Sequence, residues 1–372
     1  MWTKLFFKTT SKLSFIALFW LIFTTSAHAA LELRVAIKKS VNNLQIGSST
    51  PAVIKDGAGR VIGQVDGMNS FVAKTNGGNV NLAQWNSTGI WVEPSGDGVT
   101  WIGDRWYRGR VLLTRQGGGI TAVNYVDIEE YLYSVVGAEA IPSWPQEALK
   151  AQAVAARTYA LYKRNTSKNS VFDLDTTTAT QVYKGLSSEY TTTHQAVRAT
   201  NGQIMTYNNQ PILAVFHSSS GGHTENVEDI WTSPLPYLRG VVDYDQTAPV
   251  FQWNKTVSPS AMSRVAGGVG NIRALVPQKT TPQGRIVTMQ VVGDRSTRNV
   301  AGTQLRSALD LRSTLFRVST SGNTIQVSGR GFGHGLGLSQ WGTFYLAQNG
   351  VDYRQILGHY YQNARLATMR TR

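Results

Sequence analysis

The 372-residue chain contains no cysteine. That excludes disulfides, a thiolate nucleophile, cysteine-ligated metal and a lipid anchor on a cleavage-site cysteine. Stability must come from burial alone, which a chain of this length can supply as one large domain or two. Acidic residues are scarce: 22 Asp and Glu stand against 36 Lys and Arg, a formal charge of +14. Long apolar runs are scarcer still. The exception is residues 13–23, preceded by Lys4, Lys8 and Lys12 and followed by Ala27-His28-Ala29. A bilayer span needs about 20 apolar residues. The short run, its basic start and its small-x-small end read instead as a secretory signal peptide over 1–29, so an exported protein with no transmembrane span after its removal is expected.

Residues 1–29 hold three lysines and no acid, so a mature chain carries +11. A basic exported protein favours anionic partners such as wall polymer or an anionic lipid surface. No helix-turn-helix, RNP or zinc-finger pattern is present, and no nucleic-acid partner is expected. Ten Trp and fifteen Tyr suit both core packing and the flat faces of sugar clefts.

The pattern along the chain is α+β. A β-rich N-terminal region covers 30–125: Leu31-Glu-Leu-Arg-Val-Ala-Ile37 alternates apolar and polar residues, and Gly-rich turns divide the runs that follow. A mixed core is expected over 126–367. Asp127 and Glu130 form a capping pair, after which Ile128, Leu132 and Val135 share a helical face. Gly137 is read as ending that helix, and Glu139 falls on a link. Ser143 is read as capping a second helix over about 144–163, rich in alanine and so central. A helix over 187–201 and a hairpin turning at Asn208-Asn209 follow. Residues 240–328 are more variable, with strands at 285–293 and 324–328, and two helices close the chain at about 339–349 and 353–361.

Three groups of residues carry chemistry. Glu139, among Ala138, Ala140 and Ile141, has the surroundings of a carboxyl that keeps its proton near neutral pH, unless it faces solvent or caps a helix. Gly329-Arg-Gly-Phe-Gly-His-Gly-Leu-Gly337 has glycine at every second position; if extended, one face is bare and lets another chain approach. His217, His223 and Glu225 have a spacing that can ligate a metal or simply line a cleft. Ser218 to Ser220 lack the strand–elbow–helix context of a serine nucleophile.

These residues also resemble a family. The run from Val126 to Pro142, the block Glu147 to Tyr159, Gln181-Val-Tyr-Lys-Gly185, Ser218-Ser-Ser-Gly-Gly222, Leu305 to Leu309 and Gly329 to Gly342 come in the order of stage II sporulation protein D and its amidase-enhancer relatives. The resemblance implies a lytic transglycosylase acting on peptidoglycan glycan strands that an amidase has stripped of peptides, in the periplasm or cell-wall space. It implies Glu139 as the catalytic acid and base. It implies Gln152, Arg157, Gln181, Tyr183, Ser219, Ser220, His334, Ser339 and Gln340 as substrate contacts, and an N-acetylmuramoyl-L-alanine amidase as partner. The positive charge adds a separate expectation, that Arg157, Lys184 and Arg330 in these blocks meet the strand's free carboxylates. A binding protein that grips glycan without chemistry fits the same motifs. Some members carry a His and two Cys as zinc ligands before the Gln-Val-Tyr block. Here 172–180 has none, so no metal and no cofactor is expected, and order in that loop must come from packing or side-chain hydrogen bonds.

Overall fold

A computed structural model describes residues 31–177, 180–231, 233–321 and 324–369; the signal-peptide reading lies outside them. The structure is α+β. The first 96 or so described residues, through Asp127, form two antiparallel sheets. Strand Glu32–Val41 pairs with Gly119–Asp127, and its alternation buries Leu33, Val35 and Ile37 against the other strands. No helix among the described residues is long and apolar enough to cross a membrane.

Eight α-helices follow among the described residues: α1 (Ile128–Glu139), α2 (Gln146–Thr166), α3 (Thr191–Ala199), α4 (Val227–Ile230), α5 (Pro259–Val265), α6 (Gly302–Ala308), α7 (Gln340–Gln348) and α8 (Tyr353–Tyr360). Asp127 caps α1, accepting from Glu129 N at 2.8 Å and Glu130 N at 3.4 Å. Ile128, Tyr131, Leu132, Val135 and Val136 are its buried face. The helix runs through Gly137 to Glu139, beyond the stop expected at the glycine. A Cβ at Gly137 would lie 2.1 Å from Ser188 O, so this glycine permits close packing and does not terminate the helix. Likewise α2 begins at Gln146, and its N-cap is Pro145, not Ser143. Its alanines are buried, and it packs against α1, α3, α7, α8 and strand Gln203–Tyr207. Enlarging one of them would cost about 1–3 kcal/mol in overpacking. Asn208 and Asn209 take φ of 50° and 60°, as a tight hairpin turn requires.

Residues 252–330 build their own core around Trp253, Met262, Met289, Val291, Leu305, Phe316 and Val327. It lies between two three-stranded sheets, one of Gln252–Val257, Thr324–Arg330 and Phe316–Ser321, the other of Ile272–Thr280, Ile286–Gly293 and Thr297–Ala301. The glycine run after Arg330 is not an extended strand: Gly331, Gly333, Gly335 and Gly337 take φ of 73°, 122°, 82° and 65°. It winds tightly around the chain's own residues. A Cβ on Gly335 would sit 2.3 Å from Arg285 Cζ.

The α-helical core is tied by one ion pair. Arg157 on α2 has no exposed side chain, and its Nε and Nη2 donate to Glu129 of α1 at 2.7 and 2.6 Å. Glu129 is this pair's anion. Removing one member of a buried pair typically costs about 3–5 kcal/mol. We expect Glu129→Gln and Arg157→Gln each to lower unfolding free energy by about that much in urea titrations, and the double variant to lose less than the sum. Single-variant losses under about 1 kcal/mol would contradict this role.

Candidate active site

Glu139 is half-buried at the C-terminal end of α1. Its Oε1 accepts a hydrogen bond from Val182 N at 2.7 Å. Gln340, the first residue of α7, donates from Nε2 to the Glu139 carbonyl at 3.1 Å. Gln152 of α2 faces the same amide, with Oε1 at 3.4 Å from Gln340 Nε2. Thus α1, α2, α7 and the segment after Thr180 converge on one carboxyl. Burial raises its pKa above the ordinary 4.5; Val182 N–H, the Gln340 amide and the Lys184 cation pull it down, in that order, and burial wins. The link after Glu139 is anchored by Trp144, whose ring lies 5.1 Å from that of Trp341 on α7.

The segment carrying Val182 is held from both sides. Tyr131 OH donates to Gln181 Oε1 at 3.1 Å, and Gln181 Nε2 donates to Ala156 O at 3.2 Å. Tyr183 OH donates to Asn124 Oδ1 at 2.9 Å. Upstream, Asp175 Oδ1 accepts from Thr177 N, Thr177 Oγ1 and Thr180 Oγ1 at 3.0, 2.8 and 3.0 Å. Burial pushes this carboxyl up, but the Lys39 cation and the threonine donors outweigh it and bring it down to about 2. Side-chain hydrogen bonds thus tie Thr177 and Thr180 to Asp175.

Several expected contact residues are occupied inside the protein. Arg157 is spent on Glu129, on Gln203 O at 3.1 Å and on Val197 O at 3.3 Å, which corrects its expected meeting with a ligand's carboxylates. Gln181 and Tyr183 are buried struts, positioning Val182 N–H. Ser339 Oγ caps α7, accepting from Gly342 N at 3.3 Å. Ser219 Oγ donates to Asp245, and Ser220 Oγ to Asp243 Oδ2 at 2.6 Å. His334 donates from Nε2 to Phe216 O and accepts from Leu336 N at Nδ1, both at 3.0 Å; burial first, then Arg285, lowers its pKa to about 4. Of the set, Gln340 touches Glu139, and Gln152 reaches it through Gln340.

His217 and Glu225 also have protein partners: His217 Nδ1 donates to Leu336 O at 3.0 Å, and Glu225 Oε1 accepts from Thr281 Oγ1 at 2.7 Å. His223 Nδ1 lies 2.6 Å from Thr224 O. No cluster of three ligating side chains occurs among the described residues.

Tyr159 was missed. It is buried near Glu139, its pKa pushed up to about 12 by burial, then by Asp175 and Glu139. The signal was available: Tyr159 follows Gln152 by seven residues, which puts both on one face of α2.

The raised Glu139 pKa has a stability consequence. The folded protein binds this proton more tightly than the unfolded chain, so ionisation from pH 4.5 upward costs stability. Glutamine has no such titration. Relative to wild type, Glu139→Gln should gain stability as pH rises from about 4 to 7, measured by denaturant midpoints across that range. A constant difference would show that burial does not hold the proton.

The comparisons follow the same residues. The family model described as stage II sporulation protein matches 116–207, and a model for a domain of unknown function, DUF8618, matches 243–337. Stage II sporulation protein D of Bacillus subtilis (strain 168) is 35% identical over 266 residues, covering 66% of this chain and 76% of the relative. An uncharacterised protein of Brachyspira hyodysenteriae is 33% identical over 285 residues, covering 74% and 77%. The amidase enhancer of Bacillus subtilis is 30% identical over 292 residues, covering 64% of this chain and 40% of that protein. The chain belongs to the stage II sporulation protein D family.

Proposed function

We propose that the protein works on the cell wall as a lytic transglycosylase, cleaving peptidoglycan strands that have lost their peptides, with Glu139 as acid and then base. The observation that carries the reading is the Glu139 carboxyl itself, raised by burial and held by Val182 N–H, with the Lys184 cation acting on it. Hydrolytic glycosidases pair two carboxylates, one of them to activate water or attack carbon. A transglycosylase needs one. Protonated Glu139 gives its proton to the leaving glycosidic oxygen as the C1–O bond breaks. The resulting carboxylate takes the proton of the muramyl C6 hydroxyl as that oxygen bonds to C1, closing a 1,6-anhydro ring. No water is consumed and Glu139 ends protonated. Val182 N–H and Gln340 keep the carboxyl in place through both transfers. The expected signal peptide and the wall-related names of the relatives support export to the periplasm or cell-wall space.

The second reading is a glycan-binding partner of an amidase, favoured by the likeness to the amidase enhancer. One substitution separates the two. General acid catalysis contributes about 10²–10⁴-fold, so Glu139→Gln should lower release of anhydro-muramyl ends from stripped glycan by about that factor while still binding it. Glu130→Gln is the control: it lies at the other end of α1, about 14 Å away along the axis, and should leave release unchanged. Mass spectrometry of the soluble products is the measurement. Equal product from wild type and Glu139→Gln excludes this role for Glu139. No anhydro product from wild type, with a co-incubated amidase still stimulated, establishes the binding reading. Without zinc ligands before Gln181, release should persist in excess chelator; loss of activity together with a stoichiometric metal would contradict that.

A further inference from the structure

We infer that the outer face of the sheet formed by Gln252–Val257, Thr324–Arg330 and Phe316–Ser321 is a second glycan-binding surface, gripping the lactyl carboxylates of a stripped strand away from Glu139. The inference rests on the glycan reading above. The face bounds a recess of about 460 Å³, lined among others by Gln252, Asn254, Gln283, Arg317, Ser328 and Arg330, with no acidic residue in its lining. Register places these side chains in rows. Asn254, Ser328 and Arg317 lie opposite one another across the three strands, and Gln252 lies opposite Arg330 in the next row. Neighbouring strands are about 4.8 Å apart, so two guanidinium groups flank amide and hydroxyl groups on a rigid floor.

Each residue type suits one part of a stripped strand. Amides and hydroxyls pair with sugar hydroxyls, and a planar guanidinium binds both oxygens of a carboxylate. Arg317 and Arg330 are exposed and have no ion pair or side-chain hydrogen-bond partner among the described residues. Like charges close together on a sheet face destabilise it, so folding gives no reason to keep them there. The wider charge agrees. Residues 243–337 carry eleven Lys and Arg against four Asp and no Glu, which is half of the chain's formal +14. Two of those acids, Asp243 and Asp245, are buried. Arg330 precedes Gln340 by ten residues, and the chain between them spans at most about 35 Å. On this inference one strand of several sugars occupies both places.

The test uses full-length protein carrying Glu139→Gln, so that strands stay intact. Affinity for peptide-stripped glycan of increasing length is measured with Arg317→Gln/Arg330→Gln added, and with Arg273→Gln/Arg298→Gln, which removes equal charge from the other sheet. The first pair should weaken binding of long strands about tenfold or more and erase the preference over strands whose lactyl carboxylates are amidated; the second pair should do neither. Equal weakening by both pairs, or by neither, overturns the inference. So does tighter, Arg317- and Arg330-dependent binding of poly(glycerol phosphate), which would reassign the face to a phosphate polymer. Release of anhydro ends by the protein with Glu139 intact tests the underlying reading separately, whatever the binding result.

Discussion

The Arg157 guanidinium is the point on which the helical core turns. Wholly buried, it bonds to the Glu129 carboxyl on α1, to Val197 O on α3 and to Gln203 O at the start of a strand. Glu129 in turn accepts from Gly202 N at 3.1 Å. A buried charge without partners is costly enough to unfold a domain, so these four segments are obliged to meet in one arrangement. The alanines of α2 then let them meet closely. Glu139 is ten residues beyond Glu129 on the same helix, and its position relative to α2 is set by this pair together with the Tyr131–Gln181–Ala156 strut.

Around Glu139 the opposing effects are of one kind and differ in size. An N–H on a carboxylate and a nearby ammonium favour its charge; removal from water disfavours it. The site has all three, and burial outweighs the others. At Asp175 the order reverses, since Lys39 and three donors from Thr177 and Thr180 oppose a smaller burial. Two carboxyls whose environments drive them apart are what assign different jobs to the same functional group. Asp175 stays charged and holds Thr177 and Thr180, while Glu139 is the group that would carry a proton in the proposed reaction.

Local patterns were legible in the sequence wherever a residue answers to its own neighbours. The Asp127 cap, the apolar face of α1, the alanines of α2 and the Asn208-Asn209 turn each depend on spacing within a few residues. What was not legible depends on distant partners. Gly137 looked like a stop because glycine costs a helix about 1 kcal/mol; the contact with Ser188 that requires it lies fifty-one residues away. Arg157 was expected to meet a ligand from the resemblance and the positive charge, and its actual partner Glu129 sits on another helix. Gln181, Tyr183, Ser219 and Ser220 were likewise expected, on resemblance, to contact the ligand, and their polar atoms close hydrogen bonds to Tyr131, Asn124, Asp245 and Asp243. Glu139 was singled out from its apolar neighbours close in sequence, whereas the groups that act on it, Val182 N–H, Gln340 and Lys184, come from distant segments.

The alternating glycines show how the two cores are joined. Each odd position from 331 to 337 has a left-handed backbone, which side chains disfavour, so the segment cannot relax into the strand its spacing suggests. The coil presses against His217, Ser219 and Arg285. Arg285 Nη2 donates to Ser220 O at 2.5 Å, and Asp243 also accepts from Tyr360 OH at 2.6 Å on α8. Arg285 comes from the 252–330 unit, Ser220 from the loop before it and Tyr360 from the end of the helical core. The link between the basic sheet and Gln340 is therefore a clamped turn and not a tether. A clamped turn holds Arg330 and Gln340 in one arrangement, which the proposed bridging of the two by one glycan strand requires and a flexible linker would not provide.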